Sequence, residues 1–79
     1  MSNQEKYIAA FTSTFLVDEN ELSGLKYQSI TAWDSVGHMA LMTALEEKFN
    51  IEMDIDDIIE FSSFEYGRTI LAKYNINVE

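Results

Sequence analysis

Four segments of this chain place apolar residues at helical spacing, and each segment follows residues that commonly cap a helix. The 79 residues include no proline and no internal repeat, so only the caps delimit these segments. In the first, Ser2 and Glu5 match a capping box, and four apolar residues recur behind them: Ile8, Phe11, Phe15 and Leu16. The pattern predicts a first helix that ends near Val17.

The second segment follows Asp34, whose carboxylate can accept hydrogen bonds from the free amides of a helix start. A helix from about Ser35 to Phe49 would direct one apolar row toward the core: Leu41, Leu45 and Phe49. The charged residues near its end would face outward: Glu46, Glu47 and Lys48. Asn50 is typical of a helix C-terminus.

Residues 51–54 alternate apolar and acidic side chains over too short a stretch for a sheet, and we interpret them as an extended link. Asp54 or Asp56 can cap a brief third helix. The apolar residues of this third segment are Ile55, Ile58, Ile59 and Phe61. We expect Ile58 and Ile59 to lie in the core.

Ser62 and Glu65 match a second capping box and predict a fourth helix that continues through Tyr74. Its inward residues would be Phe64, Gly67, Leu71 and Tyr74. Gly67 costs up to about 1 kcal/mol of helix propensity relative to alanine, which indicates the close approach of a neighbouring helix or a bound group.

The stretch from Glu21 to Trp33 has no periodic pattern and predicts a long ordered loop between the first two helices. The predicted fold is therefore all-α, a small four-helix bundle with a long first loop and a short third helix. It forms a single domain over residues 1–79.

Acidic residues dominate the charge of the chain. Fourteen acids against five lysines and arginines give a formal net charge of −9, which argues against binding nucleic acid or docking on anionic membranes. Half of the acids fall in one stretch: Glu46, Glu47, Glu52, Asp54, Asp56, Asp57 and Glu60. This stretch is either a solvated face or a docking face for basic partners.

Cysteine is absent, so the chain can form neither a disulfide nor a thiolate metal site, and any thiol chemistry must come from a cofactor. The N-terminal residues do not form a basic region followed by an apolar run, and no segment approaches the roughly 20 apolar residues of a membrane span. We expect a soluble cytoplasmic protein.

Ser35 is the strongest candidate for a functional residue. A helix start leaves several backbone amides without partners and carries partial positive charge, so a phosphodiester attached there meets free donors and a favourable field. Asp34 can cap the same turn and hold the serine on a rigid, exposed corner.

The pair Asp34-Ser35 followed by Leu41-x-x-x-Leu45-Glu46-Glu47-Lys48-Phe49 resembles the signature of acyl carrier proteins and the related peptidyl and D-alanyl carriers. The resemblance covers nearly the whole chain. It implies the carrier fold and a 4'-phosphopantetheine arm on Ser35, placed there from coenzyme A by a phosphopantetheinyl transferase. The thiol of that arm would hold acyl or aminoacyl thioesters, and the protein would be a tethered substrate rather than an enzyme.

The same resemblance implies particular partners and contact residues. Asp34 would help engage the transferase. Helical spacing, rather than the resemblance, puts His38 one turn beyond Asp34 and Ser35, where a protonated ring can contact a phosphate or an acidic group of a partner. An ordinary exposed helix histidine is the alternative. The partner-facing residues on the second and third helices would be Val36, Met39, Glu46, Glu47, Asp56 and Asp57. The partners would be the transferase, an adenylating ligase or acyltransferase that loads the arm, and downstream enzymes that use the cargo. The carrier itself would be a monomer.

Four positions depart from the common fatty-acid carrier pattern. Ala32 stands where a glycine is usual, Val36-Gly37 where a leucine and an acid are usual, and Ala40 replaces the usual helix glutamate. The form Trp33-Asp34-Ser35 with His38 is more similar to stand-alone carriers of specialised biosynthetic pathways. An aminoacyl or peptidyl carrier of a nonribosomal or D-alanylation system is the alternative within this class.

Other interpretations come from other classes. Asp34, Ser35 and His38 are the residue types of a hydrolase triad, but the chain lacks a nucleophile elbow and is too small for an oxyanion hole and a cleft. The acids from Asp54 onward fail the calcium-loop pattern at Ile59 and Glu65, so no metal site is predicted. An unmodified acidic helical interaction module remains the alternative to a carrier.

Overall fold

The computed structural model describes residues 1–78, and these contain four α-helices and no strand. The helices are α1 (Asn3–Phe15), α2 (Ser35–Phe49), α3 (Ile55–Glu60) and α4 (Phe64–Ala72). One 3-10 turn, Glu19–Glu21, opens the long connection between α1 and α2. The predicted all-α class and the short third helix are confirmed.

Local capping interactions and left-handed residues mark the ends of the first two helices. The Ser2 hydroxyl accepts from the Glu5 amide at 3.1 Å, and the Glu5 carboxylate accepts from the Ser2 amide at 2.9 Å. Helix α1 ends at Phe15, slightly before the predicted end, because Leu16 adopts a left-handed conformation with φ of 57°. Asn50 terminates α2 in the same way with φ of 54°, and the bounds of α2 match the prediction.

The predicted cap of α4 was wrong by one residue. The Ser63 hydroxyl, not that of Ser62, accepts from the Tyr66 amide at 2.9 Å. Ser62 is held outside the helix because its carbonyl accepts from the Tyr27 amide of the long loop at 2.9 Å. Helix α4 also ends at Ala72 rather than Tyr74.

The third helix buries a different face from the one expected. Ile59 was predicted to lie in the core, but its side chain is 73% exposed, and that of Ile55 is 72% exposed. Helix α3 has only six residues, and the face that includes Ile58 packs on the core. Residues 55 and 59, one turn apart, lie together on the exposed side of α3.

Aromatic rings from α1 form the centre of the core. The ring centroid of Phe11 lies 5.0 Å from that of Phe64, 5.6 Å from that of Trp33 and 6.2 Å from that of Phe61. Leu41 and Leu45 of α2 are fully buried, as predicted, whereas Phe49 is only partly buried. This core fixes α1 against α2, and the loop and the last two helices close over it.

Gly67 lies where α4 meets α1 and the residue that follows α3. A Cβ atom at this position would overlap the Tyr7 hydroxyl and the ring of Phe61. The close approach predicted at this glycine is therefore confirmed, and the approaching groups are these two buried side chains.

A polar cluster ties α3 to the end of α4. The carboxylate of Asp57 accepts from the Lys73 ammonium at 2.8 Å and from the Tyr74 hydroxyl at 2.6 Å. The Tyr74 hydroxyl also accepts from the Asp54 amide at 2.9 Å. The hydrogen bond from Lys73, followed by that from Tyr74, holds the pKa of Asp57 below its usual value.

This cluster predicts a pH-dependent loss of stability. Because the pKa of Asp57 is lowered in the folded state, its contribution is present above about pH 4, where an unfolded aspartate is ionised, and disappears as the pH falls further. We expect Asp57→Asn to lower the urea midpoint at pH 7 and to differ much less from wild type near pH 3. The neighbouring exposed Asp56→Asn is the control and should leave the midpoint nearly unchanged. An equal deficit of Asp57→Asn at both pH values would contradict the role of the charge.

Candidate functional site

Ser35 is the first residue of α2, and its side chain is exposed. Asp34 caps the helix, since its carboxylate accepts from the Gly37 amide at 2.8 Å and its carbonyl accepts from the His38 amide at 2.7 Å. Within residues 1–78 the Ser35 hydroxyl has no hydrogen-bond partner. The predicted position of Ser35 on a capped helix corner is therefore confirmed.

Gly37 allows the long loop to cross the first turn of α2. A Cβ atom here would overlap the backbone carbonyl of Ala32 and would lie 3.3 Å from the ring of Phe15. The absence of a side chain lets the loop approach the helix that carries Ser35. In the sequence Gly37 is only a departure from a pattern, and its steric role is not evident there.

An apolar groove of about 380 Å³ opens beside Ser35, between the start of α2 and α3. Its walls come from the loop, α2, α3 and the residues that follow α3: Tyr27, Ser35, His38, Met39, Ile55, Ile58, Ile59, Phe61 and Ser62. Four of these lining residues are exposed large apolar side chains: Tyr27, Met39, Ile55 and Ile59. They form a patch of apolar surface beside Ser35.

Sequence reasoning did not assign Tyr27, Ile55 or Ile59 to the site. The only available signal for the two isoleucines was their i, i+4 spacing within an acidic segment, and core packing explained that spacing equally well. Tyr27 joins the groove through the bond between its amide and Ser62, which no local pattern reveals.

His38 does not have the free ring that was predicted to contact a phosphate. Its Nδ1 atom accepts from the Trp33 indole at 2.9 Å, and its Nε2 atom lies 2.7 Å from the carbonyl oxygen of Ile58. Both ring nitrogens therefore have partners inside the protein, and the side chain is only partly exposed. The imidazole forms a structural bridge between the loop and α3, and its contact with a phosphate stays a prediction.

The residues predicted to face partners divide into two groups. Val36, Met39, Glu47 and Asp56 are exposed, with Val36 80% and Met39 51% accessible. On α2 the outward row at helical spacing consists of Val36, Ala40, Thr43 and Glu47, all of which are exposed. This row is apolar or neutral near Ser35 and acidic at its far end.

Glu46 and Asp57 do not lie free on this surface. Glu46 was predicted to face outward, but it is partly buried and its carboxylate accepts from the Met53 amide at 2.9 Å. Asp57 is buried and bonded to Lys73 and Tyr74. The Glu46 carboxylate instead holds the link that follows α2, and the Asp57 carboxylate joins α3 to the end of α4. The remaining five acids of residues 46–60 are exposed: Glu47, Glu52, Asp54, Asp56 and Glu60.

Asp34, Ser35 and His38 are neighbours, but their hydrogen bonds do not form the relay of a serine hydrolase. Such a relay needs one imidazole nitrogen at the serine and the other at the carboxylate. Here the imidazole is bonded to Trp33 and Ile58, and the Asp34 carboxylate is bonded to Gly37. Within residues 1–78 neither side chain is bonded to the Ser35 hydroxyl.

Over residues 1–78, no three histidine or acidic side chains gather in a group that could hold a metal ion. No helix in this range is both long enough and apolar enough to span a membrane. Comparisons of the chain with protein-family models, curated proteins and solved structures find no match.

Proposed function

We propose that the protein is a carrier of the acyl-carrier-protein type, in which Ser35 bears a 4'-phosphopantetheine arm. The observation that supports this proposal most directly is an exposed, unbonded serine hydroxyl on the first residue of a capped helix, at the mouth of an apolar groove. The four-helix order with a long first loop and a short α3 is consistent with a carrier bundle.

The residues around Ser35 fit a phosphodiester with a long arm. The amides of Ser35 and Val36 have no bonding partner within residues 1–78, and the helix start favours negative charge. Met39, Ile55 and Ile59 offer an apolar wall along which an arm or its cargo can lie. When bound, the arm supplies the thiol that a chain without cysteine cannot provide.

The surface around the groove fits transient docking on basic enzymes. Val36 and Met39 supply exposed apolar contacts, and Glu47 and Asp56 supply exposed charge. Contacts steered by such charges form quickly and weaken with salt, which suits a protein that must visit several enzymes. Tethering then raises the local concentration of the cargo without tight binding.

The outward row of α2 favours a dedicated carrier over one for general fatty acid synthesis. Its middle positions, Ala40 and Thr43, are uncharged, so acidic contacts are available mainly at Glu47 and on α3. An adenylating ligase or acyltransferase of a specialised pathway would load the arm. An aminoacyl or peptidyl cargo is the alternative within the same mechanism.

The test is the intact mass of the purified chain after incubation with coenzyme A and a broad-specificity phosphopantetheinyl transferase. We expect wild type to gain one phosphopantetheine group and Ser35→Ala to gain none. Ser62→Ala is the matched control, because Ser62 is another exposed serine that lines the same groove. It should be modified like wild type.

Two results would overturn the proposal. One is the absence of any mass gain with several transferases, and the other is equal modification of Ser35→Ala. Equal modification would place the arm on another residue, whereas the absence of modification would support an unmodified interaction module with an acidic and apolar surface. That module would keep its partner binding in Ser35→Ala.

A further inference from the structure

The imidazole of His38 connects three parts of the fold. It belongs to the first turn of α2, it accepts a hydrogen bond from Trp33 in the loop, and it reaches the carbonyl of Ile58 in α3. Helix α3 is a short element, and Ile58 also helps to line the groove. The position of one groove wall relative to Ser35 therefore depends in part on this ring.

Only one form of the imidazole satisfies both bonds. The indole nitrogen of Trp33 can only donate, so Nδ1 of His38 must carry no proton. The carbonyl of Ile58 can only accept, so Nε2 must carry the proton. The two partners thus select the neutral imidazole with its proton on Nε2.

Within residues 1–78 no charged side chain is bonded to the ring. Aromatic rings surround it, with centroids of Tyr27 at 5.4 Å, Trp33 at 6.2 Å and Phe61 at 6.3 Å. Tyr27 is the titratable group among them. The nearby carboxylates are directed elsewhere: that of Asp34 to the Gly37 amide and that of Asp57 to Lys73.

We propose that His38 is a pH-responsive positioning residue that holds α3 and the groove wall in place only in its neutral form. A proton on Nδ1 would point at the indole N–H of Trp33, so the ring must leave its position and the Trp33 bond is lost. Because the same ring is bonded to Ile58, α3 must follow the ring or lose its own bond. Acid therefore changes the width of the groove beside Ser35.

The hydrogen-bond switch itself does not depend on the carrier role, and only its effect on an attached arm rests on the proposed function. The experiment therefore uses the full unmodified chain, labelled with ¹⁵N. The chain has one histidine and one tryptophan, so both ring signals are unambiguous. Imidazole nitrogen shifts, the Trp33 indole N–H and the amides of α3 are followed by NMR from about pH 8 to pH 5, where histidines titrate.

We expect the Nε2–H form at pH 8. As His38 gains a proton, the NMR signal of the Trp33 indole N–H should shift. The indole proton should exchange with water about tenfold faster, because the loss of one hydrogen bond removes protection of that order. The amides of Ile58 and Ile59 should shift with the same midpoint. His38→Asn provides the matched control, because its amide oxygen can accept from Trp33 without titrating. Its Trp33 and α3 signals should stay constant over this range.

Four results would overturn the proposal. They are an Nδ1–H form at pH 8, protonation of His38 without a change at Trp33 and α3, the same transition in His38→Asn, and a ring that stays neutral until the whole domain unfolds. None of these results would affect the mass test on Ser35, so the two proposals can fail separately.

Discussion

Replacing Trp33 with alanine is expected to lower the free energy of unfolding by about 3–5 kcal/mol, the usual cost of removing a large buried aromatic side chain. Trp33 is fully buried, and its ring stacks on that of Phe15 at 5.2 Å. A domain of this size is stabilised by only about 4–12 kcal/mol. The variant should therefore lose a large fraction of the stability of the domain.

Trp33 contributes to the stability of the loop by more than the packing of its ring. The backbone of Trp33 closes the loop, since its carbonyl accepts from the Gln28 amide at 2.9 Å and its amide donates to the Ile30 carbonyl at 3.1 Å. Its indole also provides the donor for His38. Removing the ring leaves a cavity at the point where the loop meets α1 and α2.

Urea unfolding followed by far-UV circular dichroism measures this effect, because the variant loses the sole tryptophan needed for fluorescence. Trp33→Phe is the control that keeps an aromatic ring but removes the indole donor. Its free energy of unfolding should lie between those of wild type and Trp33→Ala. A cost below about 1 kcal/mol for Trp33→Ala, a typical value for an ordinary substitution, would contradict the central role of Trp33 in the loop.

Gly67→Ala should destabilise the domain by about 1–3 kcal/mol, the usual cost of overpacking a core. Helix propensity acts in the opposite direction and favours alanine by only about 1 kcal/mol. The steric effect is larger because the added methyl group meets two buried side chains, with Cε1 of Phe61 only 2.7 Å from its position. The Tyr7 hydroxyl would also be displaced from its 2.7 Å bond to the Phe64 carbonyl.

Urea midpoints by Trp33 fluorescence measure this effect, and two further variants identify its cause. Thr69→Ala, at an exposed position of the same helix, should be neutral or stabilising because it reports propensity alone. In a Phe61→Leu background the cost of Gly67→Ala should decrease, because leucine lacks the outer ring atoms. An undiminished cost in that background would show that Phe61 is not the obstruction.

The acidic segment shows how far sequence reasoning extends. Its charge was evident from composition, and five of its seven acids are exposed. Glu46 and Asp57 are engaged internally, because the link after α2 brings the Met53 amide to one and the end of α4 brings Lys73 and Tyr74 to the other. These partners are 7, 16 and 17 residues away along the chain, beyond the reach of helical spacing.

Local chemistry decided most of what the sequence predicted correctly. The helix starts at Ser2 and Asp34 and the stop at Asn50 depend on hydrogen bonds and backbone angles within a few residues, so local patterns are sufficient. The exposed corner at Ser35 follows from the same local rules.

Tertiary packing alone decided the groove, the tautomer of His38 and the cap of α4. Each depends on groups brought together from distant parts of the chain: Ile58 at the imidazole of His38, and Tyr27 at Ser62. Capping propensities at Ser62 and Ser63 are identical, so the long-range bond to the loop selected between them. The sequence by itself determined where the helices form and where a serine is presented, while packing determined what surrounds that serine.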